Sequence, residues 1–276
     1  MTQTQSAASP PKTPRNKRND EGMPLSRTNP VIEATMMLVP IANLAAAAVT
    51  AVLAASSGRN MLQTWSLSRQ HANGSLPATE IMIDASDSTN EVVSKIQSMK
   101  RKELLELYMS SRGPQDLSEI AGEWNGHLLD NDSWIMTAVT GLLSNRMFGM
   151  GRKWNGKQFG KENDPQLGIN RFHPRNANTK QQAEQSTITP TEHTFDMILR
   201  PSKLGARDMS LVLDYTKYQF PLSLWRTMMD EVRIVPLDNG EPRVLIGLGY
   251  MAWSGGRMNS SPFVLYRAVE DARDQV

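Results

Sequence analysis

The chain has 276 residues, 39% of them apolar, which suffices for one large domain or two small ones with a packed core. Its 30 basic and 28 acidic side chains leave a formal charge of +2, and its densest basic groups, Lys12 to Arg18 and Lys100 to Lys102, carry no aromatics, so no nucleic-acid partner is expected. The absence of cysteine excludes disulfides, thiolate nucleophiles and Cys-ligated zinc, and leaves the compartment open.

Residues 1–30 are rich in Ser, Thr, Pro and Asn with few bulky apolar groups, which predicts a disordered basic leader. Residues 31–58 form a hydrophobic segment. Within it, Ala34 to Ala55 runs for 22 residues without a charge. As a helix this stretch would be about 33 Å long, enough for a bilayer core of about 30 Å. It reads either as a retained membrane helix or as a cleaved targeting element, since a basic leader, an apolar run and small residues at Ala54-Ala55-Ser56 suit both. A buried soluble helix is the third reading. If the segment is retained, the basic excess before it sets a single-pass arrangement with the remainder on the non-cytoplasmic side. If it is cleaved, the chain is organelle-targeted.

Residues 59–88 are polar and read as a linker with one short strand at Glu80–Asp84. Residues 89–272 read as a helix plus a β-barrel domain. Ser88 and Glu91 have capping-box spacing, Val92, Ile96, Met99, Leu104 and Leu107 recur near helical period, and Gly113-Pro114 ends the run. Beyond Pro114 eight short stretches rich in β-branched and aromatic residues follow: Glu123–Leu129, Lys153–Phe159, Gly168–Phe172, His193–Leu199, Ser210–Tyr215, Val232–Pro236, Arg243–Ala252 and Pro262–Ala268. Asp238-Asn239-Gly240 supplies a hairpin turn, an inserted helix runs from Trp134 to about Arg146, and residues 174–191 read as an exposed loop. Eight strands are enough to close a barrel whose interior holds side chains or one small ligand. The expected fold is therefore mainly β: an antiparallel up-and-down barrel with a short N-terminal helix and one inserted helix, preceded by the hydrophobic helix.

Two tetrapeptides, Trp124-Asn125-Gly126-His127 and Trp154-Asn155-Gly156-Lys157, lie thirty residues apart, the first inside a Gly-x-Trp-x-Gly pattern beginning at Gly122. Glycines beside an indole let a strand bend while the ring plugs a barrel end. On these residues the chain resembles the lipocalins and their calycin relatives, which open with Gly-x-Trp and place a late arginine over that ring. The resemblance implies a calycin-like barrel closed by Trp124 and Arg267. Trp154-Asn155-Gly156-Lys157-Gln158-Phe159, Val244 to Gly247 and Pro262-Phe263 also resemble the bacterial GXWXG-type domain of unknown function, over residues 117–268. Fibrillin-like plastid lipid-associated proteins are a looser likeness.

The stretch from Ile135 to Met150 is Met-rich, and methionine suits adaptable apolar cavities. Trp154, Met136, Leu143, Met147, Tyr215, Trp225 and Trp253 are the candidate ligand-binding residues. His71, His127, His173 and His193 show no metal-ligand spacing, and no nucleophile elbow, phosphate loop or dinucleotide fingerprint occurs, so no catalytic residue, metal or cofactor is assigned. By residue type alone, His127 with Asp130 or Asp230 with Arg233 would serve as an acid/base pair. The expectation is binding of an apolar small molecule, such as a lipid, pigment or isoprenoid, by a membrane-associated barrel. An isomerase or cyclase acting on a lipid-like substrate, and a membrane-tethered assembly subunit with a protein partner, are the alternatives.

Overall fold

The computed structural model describes residues 54–74, 83–84, 87–132, 134–149, 151–161, 164–173, 193–202, 204, 209–237 and 242–267. The chain divides into units Met1–Ala48 and Val49–Val276, and every described residue belongs to the second. The basic leader, all but the last two residues of Ala34 to Ala55, the 174–191 loop and the Asp238-Asn239-Gly240 turn lie outside the described residues. Among the described residues no helix is long and apolar enough to cross a membrane.

Eight strands form: β1 (Gly122–Leu128), β2 (Trp154–Lys161), β3 (Asp164–Phe172), β4 (Thr194–Pro201), β5 (Met209–Asp214), β6 (Met228–Ile234), β7 (Val244–Met251) and β8 (Ser261–Tyr266). Each pairs antiparallel with the next, and β8 pairs with β1, so the sheet closes into a barrel. All eight coincide with the stretches rich in β-branched and aromatic residues, to within a few residues at their ends. Closure removes the unpaired edges that an open sheet would present.

The barrel separates two cores. Inward residues such as Trp124, Phe159, Phe195, Leu211, Leu213, Val232, Leu245, Phe263 and Leu265 form an inner core beside the cavity described below. A second core lies outside, where helices α2 (Thr89–Ser98) and α3 (Arg101–Ser110) pack Val92, Ile96, Leu104, Leu105 and Leu107 against Val244, Ile246, Leu248 and Val264. This is why Val244-Leu245-Ile246 reads as an unbroken apolar run: both faces of β7 are buried.

The capping box is present, with Ser88 Oγ accepting from the Glu91 amide at 3.3 Å and Glu91 Oε2 from the Ser88 amide at 2.7 Å. The single helix expected to run to Gly113 is instead two. Met99 and Lys100 are extended, and Glu103 Oε2 accepts from the Lys100 amide at 2.6 Å to begin α3. Continuing the buried stripe of α2 from Ile96 by four and seven residues would bring Lys100 and Glu103 inward. The restart leaves both exposed.

Within the stretch read as the end of the hydrophobic segment and a linker, residues 54–72 form a helix, α1. Its buried positions are Asn60, Thr64 and Leu67, a stripe at helical spacing that is mostly polar and therefore silent in a hydrophobicity pattern. The stripe meets a buried guanidinium. Arg101 Nη1 donates to Asn131 Oδ1 at 2.7 Å and to the Ser260 carbonyl, and Nη2 donates to Thr64 Oγ1 at 3.1 Å. Burial pulls the Arg101 pKa down to about 10, with Asp132 acting in the opposite sense. Residues 83 and 84, the described end of the stretch read as a short strand, carry no regular structure, and Ile83 packs on the outer core.

At one end of the barrel Trp124 is fully buried, and its indole Nε1 donates to the Ile120 carbonyl at 2.8 Å. The Arg267 guanidinium lies 5.0 Å from the ring centroid and donates to the Ala121 carbonyl at 3.2 Å. The two tetrapeptides interlock. A Cβ on Gly126 would come within 2.5 Å of the Trp154 ring, and one on Gly156, whose φ is +141°, within 2.0 Å of the Trp124 carbonyl oxygen. Each glycine makes room for the other segment's tryptophan.

Candidate functional site

The site begins with an irregularity in β2. Its pairing with β3 slips between Trp154 and Gly156. In a regular strand, residues three apart face opposite sides, whereas a bulge resets the alternation. Trp154 and Lys157 therefore both face the interior, and the Lys157 side chain is only 3% exposed.

A lysine cannot remain charged in such a place unless its protons are taken up. Lys157 Nζ donates to Asn170 Oδ1 at 2.7 Å, to the Tyr215 hydroxyl at 2.8 Å and to Asp230 Oδ2 at 2.8 Å. The Tyr215 hydroxyl donates to Asp230 Oδ2 at 2.8 Å and accepts from Asn170 Nδ2 at 3.0 Å, while Trp154 Nε1 donates to Asn170 Oδ1 at 3.2 Å. Four rings surround the ammonium, with centroids at 5.1 Å for Phe195, 5.3 Å for Phe263, 5.5 Å for Tyr215 and 5.6 Å for Trp154. Burial lowers the Lys157 pKa against the opposing effect of Asp230, and burial followed by Asp230 raises that of Tyr215 well above its ordinary value. The result is a neutral, hydrogen-bonded ion pair inside the barrel.

Above this group lies a cavity of about 290 Å³. Its apolar walls come from Met136, Val139 and Leu143 on α4 (Trp134–Gly141) and the wider π-helical turn that follows (Leu142–Phe148), with Phe148, Met228 and Phe263. Lys157, Asn170, Tyr215 and Asp230 supply its polar end. The volume stands just below the lower bound of about 300 Å³ for small-molecule sites, and Ser57, Thr140, Ser144, Ser254, Asn259 and Ser261 add further polar side chains to the lining.

Of the residues singled out in the sequence, Trp154, Met136, Leu143 and Tyr215 line this cavity. Trp225 does not; it is half-buried and packs at 5.2 Å on Phe148, which does. The side chains of Met147 and Trp253 lie outside the described residues. The acid/base pairs suggested by residue type do not form. Asp230 faces the interior and pairs with Lys157, whereas Arg233, three residues on and so on the opposite face, lies 5.6 Å from the Tyr108 ring under α3. Asp130 approaches Lys100 at 3.8 Å, and His127 stacks on Tyr266 with Nε2 3.1 Å from its hydroxyl. Lys157, Asn170 and Asp230 were missed as a group. The signal for Lys157 was the repeated Trp-Asn-Gly segment, whose glycine marks the bulge. Among the described residues no cluster of three or more His, Asp or Glu could hold a metal ion.

Burial, then the nearby Lys153 ammonium, hold the His127 imidazole below its ordinary range. The unfolded chain therefore binds the proton first on acidification, and the native state loses stability as pH falls below about 6.5. Urea midpoints measured at pH 7 and pH 5 are expected to fall further for the natural chain than for His127→Phe. Equal falls would show that His127 does not contribute.

No protein-family model matches the chain, and no curated protein matches it. The chain is similar to a crystal structure of a protein from Thermomonospora curvata, with 14% identity and a TM-score of 0.40 over 68% of this chain and 100% of that one. The barrel rests on this chain's own strand pairing.

Proposed function

We propose that the barrel binds a small, largely apolar molecule, such as a lipid, pigment or isoprenoid, for storage, transport or sequestration. The observation that carries this reading is the cavity of about 290 Å³, walled by methionine, leucine and aromatic side chains and closed at one end by a charge-balanced polar group. A barrel kept for structure alone would be filled by its own side chains. The finer likeness to the calycin barrels belongs to the same proposal, and Trp124 beneath Arg267 supports it. Attachment to a membrane through residues 34–55 rests on composition alone, and release of the chain by carbonate extraction would remove it.

The test is to purify the full chain, extract it with organic solvent, and titrate the stripped protein with the extract. A bound compound that returns and raises the melting temperature is the expected result, because a ligand that binds only the folded state stabilises it by mass action. A chain that carries nothing and is unmoved by lipid or isoprenoid extracts would overturn the reading. A second reading, an isomerase or cyclase acting on a lipid-like substrate, is favoured by one observation: Lys157, Tyr215 and Asp230 meet at the cavity, where an amine, a phenol and a carboxylate can exchange protons. Conversion of the returned compound, abolished in Asp230→Asn, would establish it.

A further inference from the structure

The polar groups at the end of the cavity are matched to one another except for the second Nδ2 proton of Asn170 and one oxygen of Asp230. The three ammonium protons of Lys157 are placed, Asn170 Oδ1 receives two donors, and the Tyr215 hydroxyl accepts twice and donates once. Asp230 differs. The hydrogen bonds it accepts from described residues fall on Oδ2, and none falls on Oδ1. Opposite Asp230 in the β6–β7 register stands Gly249, and both residues line the cavity. A Cβ at Gly249 would come within 2.8 Å of Asp230 Oδ1. The missing side chain keeps the approach to that oxygen open.

A carboxylate oxygen facing an apolar-walled cavity is costly to leave without a donor. We infer that the occupant of the barrel is a neutral molecule with a single hydroxyl, an alcohol or phenol on an apolar frame, and that its hydroxyl donates to Asp230 Oδ1. This rests on the binding reading above and narrows it. A cationic ligand is disfavoured because Lys157 already neutralises Asp230, and a second cation would sit beside the first. An anionic ligand would set an acceptor against a carboxylate oxygen. An ether or hydrocarbon has no proton to give. The cavity holds the volume of about ten liquid waters, which sets the frame at roughly ten non-hydrogen atoms.

Four compounds on one carbon frame separate these cases: geraniol, geranyl methyl ether, geranylamine and geranic acid, each titrated calorimetrically into the full chain. Geraniol is expected to bind at least about tenfold more tightly than the ether, the usual effect of one hydrogen bond to a charged acceptor. Equal affinity for geraniol and the ether overturns the inference and leaves the binding reading intact. The amine or the acid binding most tightly also overturns it. Failure of all four to bind a chain that still responds to a lipid extract does the same. In Gly249→Ala the preference for geraniol over the ether is expected to disappear. A folded Gly249→Ala chain that retains the preference would rule out the contact with Oδ1.

Discussion

Lys157→Met is expected to destabilise the fold by about 3–5 kcal/mol, because it strands the Asp230 carboxylate in the barrel interior. The loss comes less from the attraction removed than from the charge left behind. Replacing both partners should therefore cost far less than replacing one, and Lys157→Met combined with Asp230→Leu is expected to recover most of the stability. Tyr215 and Asn170, bonded at 3.0 Å in the natural chain, are expected to keep that bond in the double variant. Urea denaturation of the four members of this cycle measures the coupling. A Lys157→Met chain as stable as the natural one would mean that water reaches Asp230, and the pair would then contribute little to the fold.

Trp124→Ala is expected to lower stability by about 3–5 kcal/mol, the range for deleting a large buried aromatic. Three supports vanish together: the filled space at the end of the barrel, the indole bond to the Ile120 carbonyl, and the ring beneath Arg267. Arg267→Ala loses mainly the cation over the ring, worth about 0.5–2 kcal/mol. In the double variant the two losses should sum to more than the measured total, since the guanidinium has no ring to cover once Trp124 is gone. Strictly additive losses, measured by the same denaturation, would show that the two side chains close the barrel independently.

The strands were legible because their physics is local. Met209-Ser210-Leu211-Val212-Leu213 alternates, and the structure points Leu211 and Leu213 into the barrel and Val212 away from it. The meeting of Trp124 and Arg267 was legible through the likeness of their motifs to a known pattern. Lys157 was not, because strict alternation from Trp154 points it outward, and only a slipped register turns it in. Asp230 was noticed but given the wrong partner: sequence proximity suggested Arg233, while the partner that faces it comes from β2, on the other side of the barrel. Helix α1 was hidden for a related reason. Asn60 and Thr64 are buried for the hydrogen bonds they make to Asn131, Asn259 and Arg101, and such contacts leave no apolar period to read.

The helices lie against one part of the barrel. Helices α2 and α3 pack on the outer faces of β7 and β8, so that wall is braced from without and within. On β4, by contrast, the outward Ile198 is 38% exposed, and the strand draws its apolar support from Phe195, Met197 and Leu199 on the lumen side. The thin wall is thus only as stiff as what the lumen contains. Among the described residues the side of the cylinder around β4 has no outer helix, and the braced side is the fixed frame against which it can breathe.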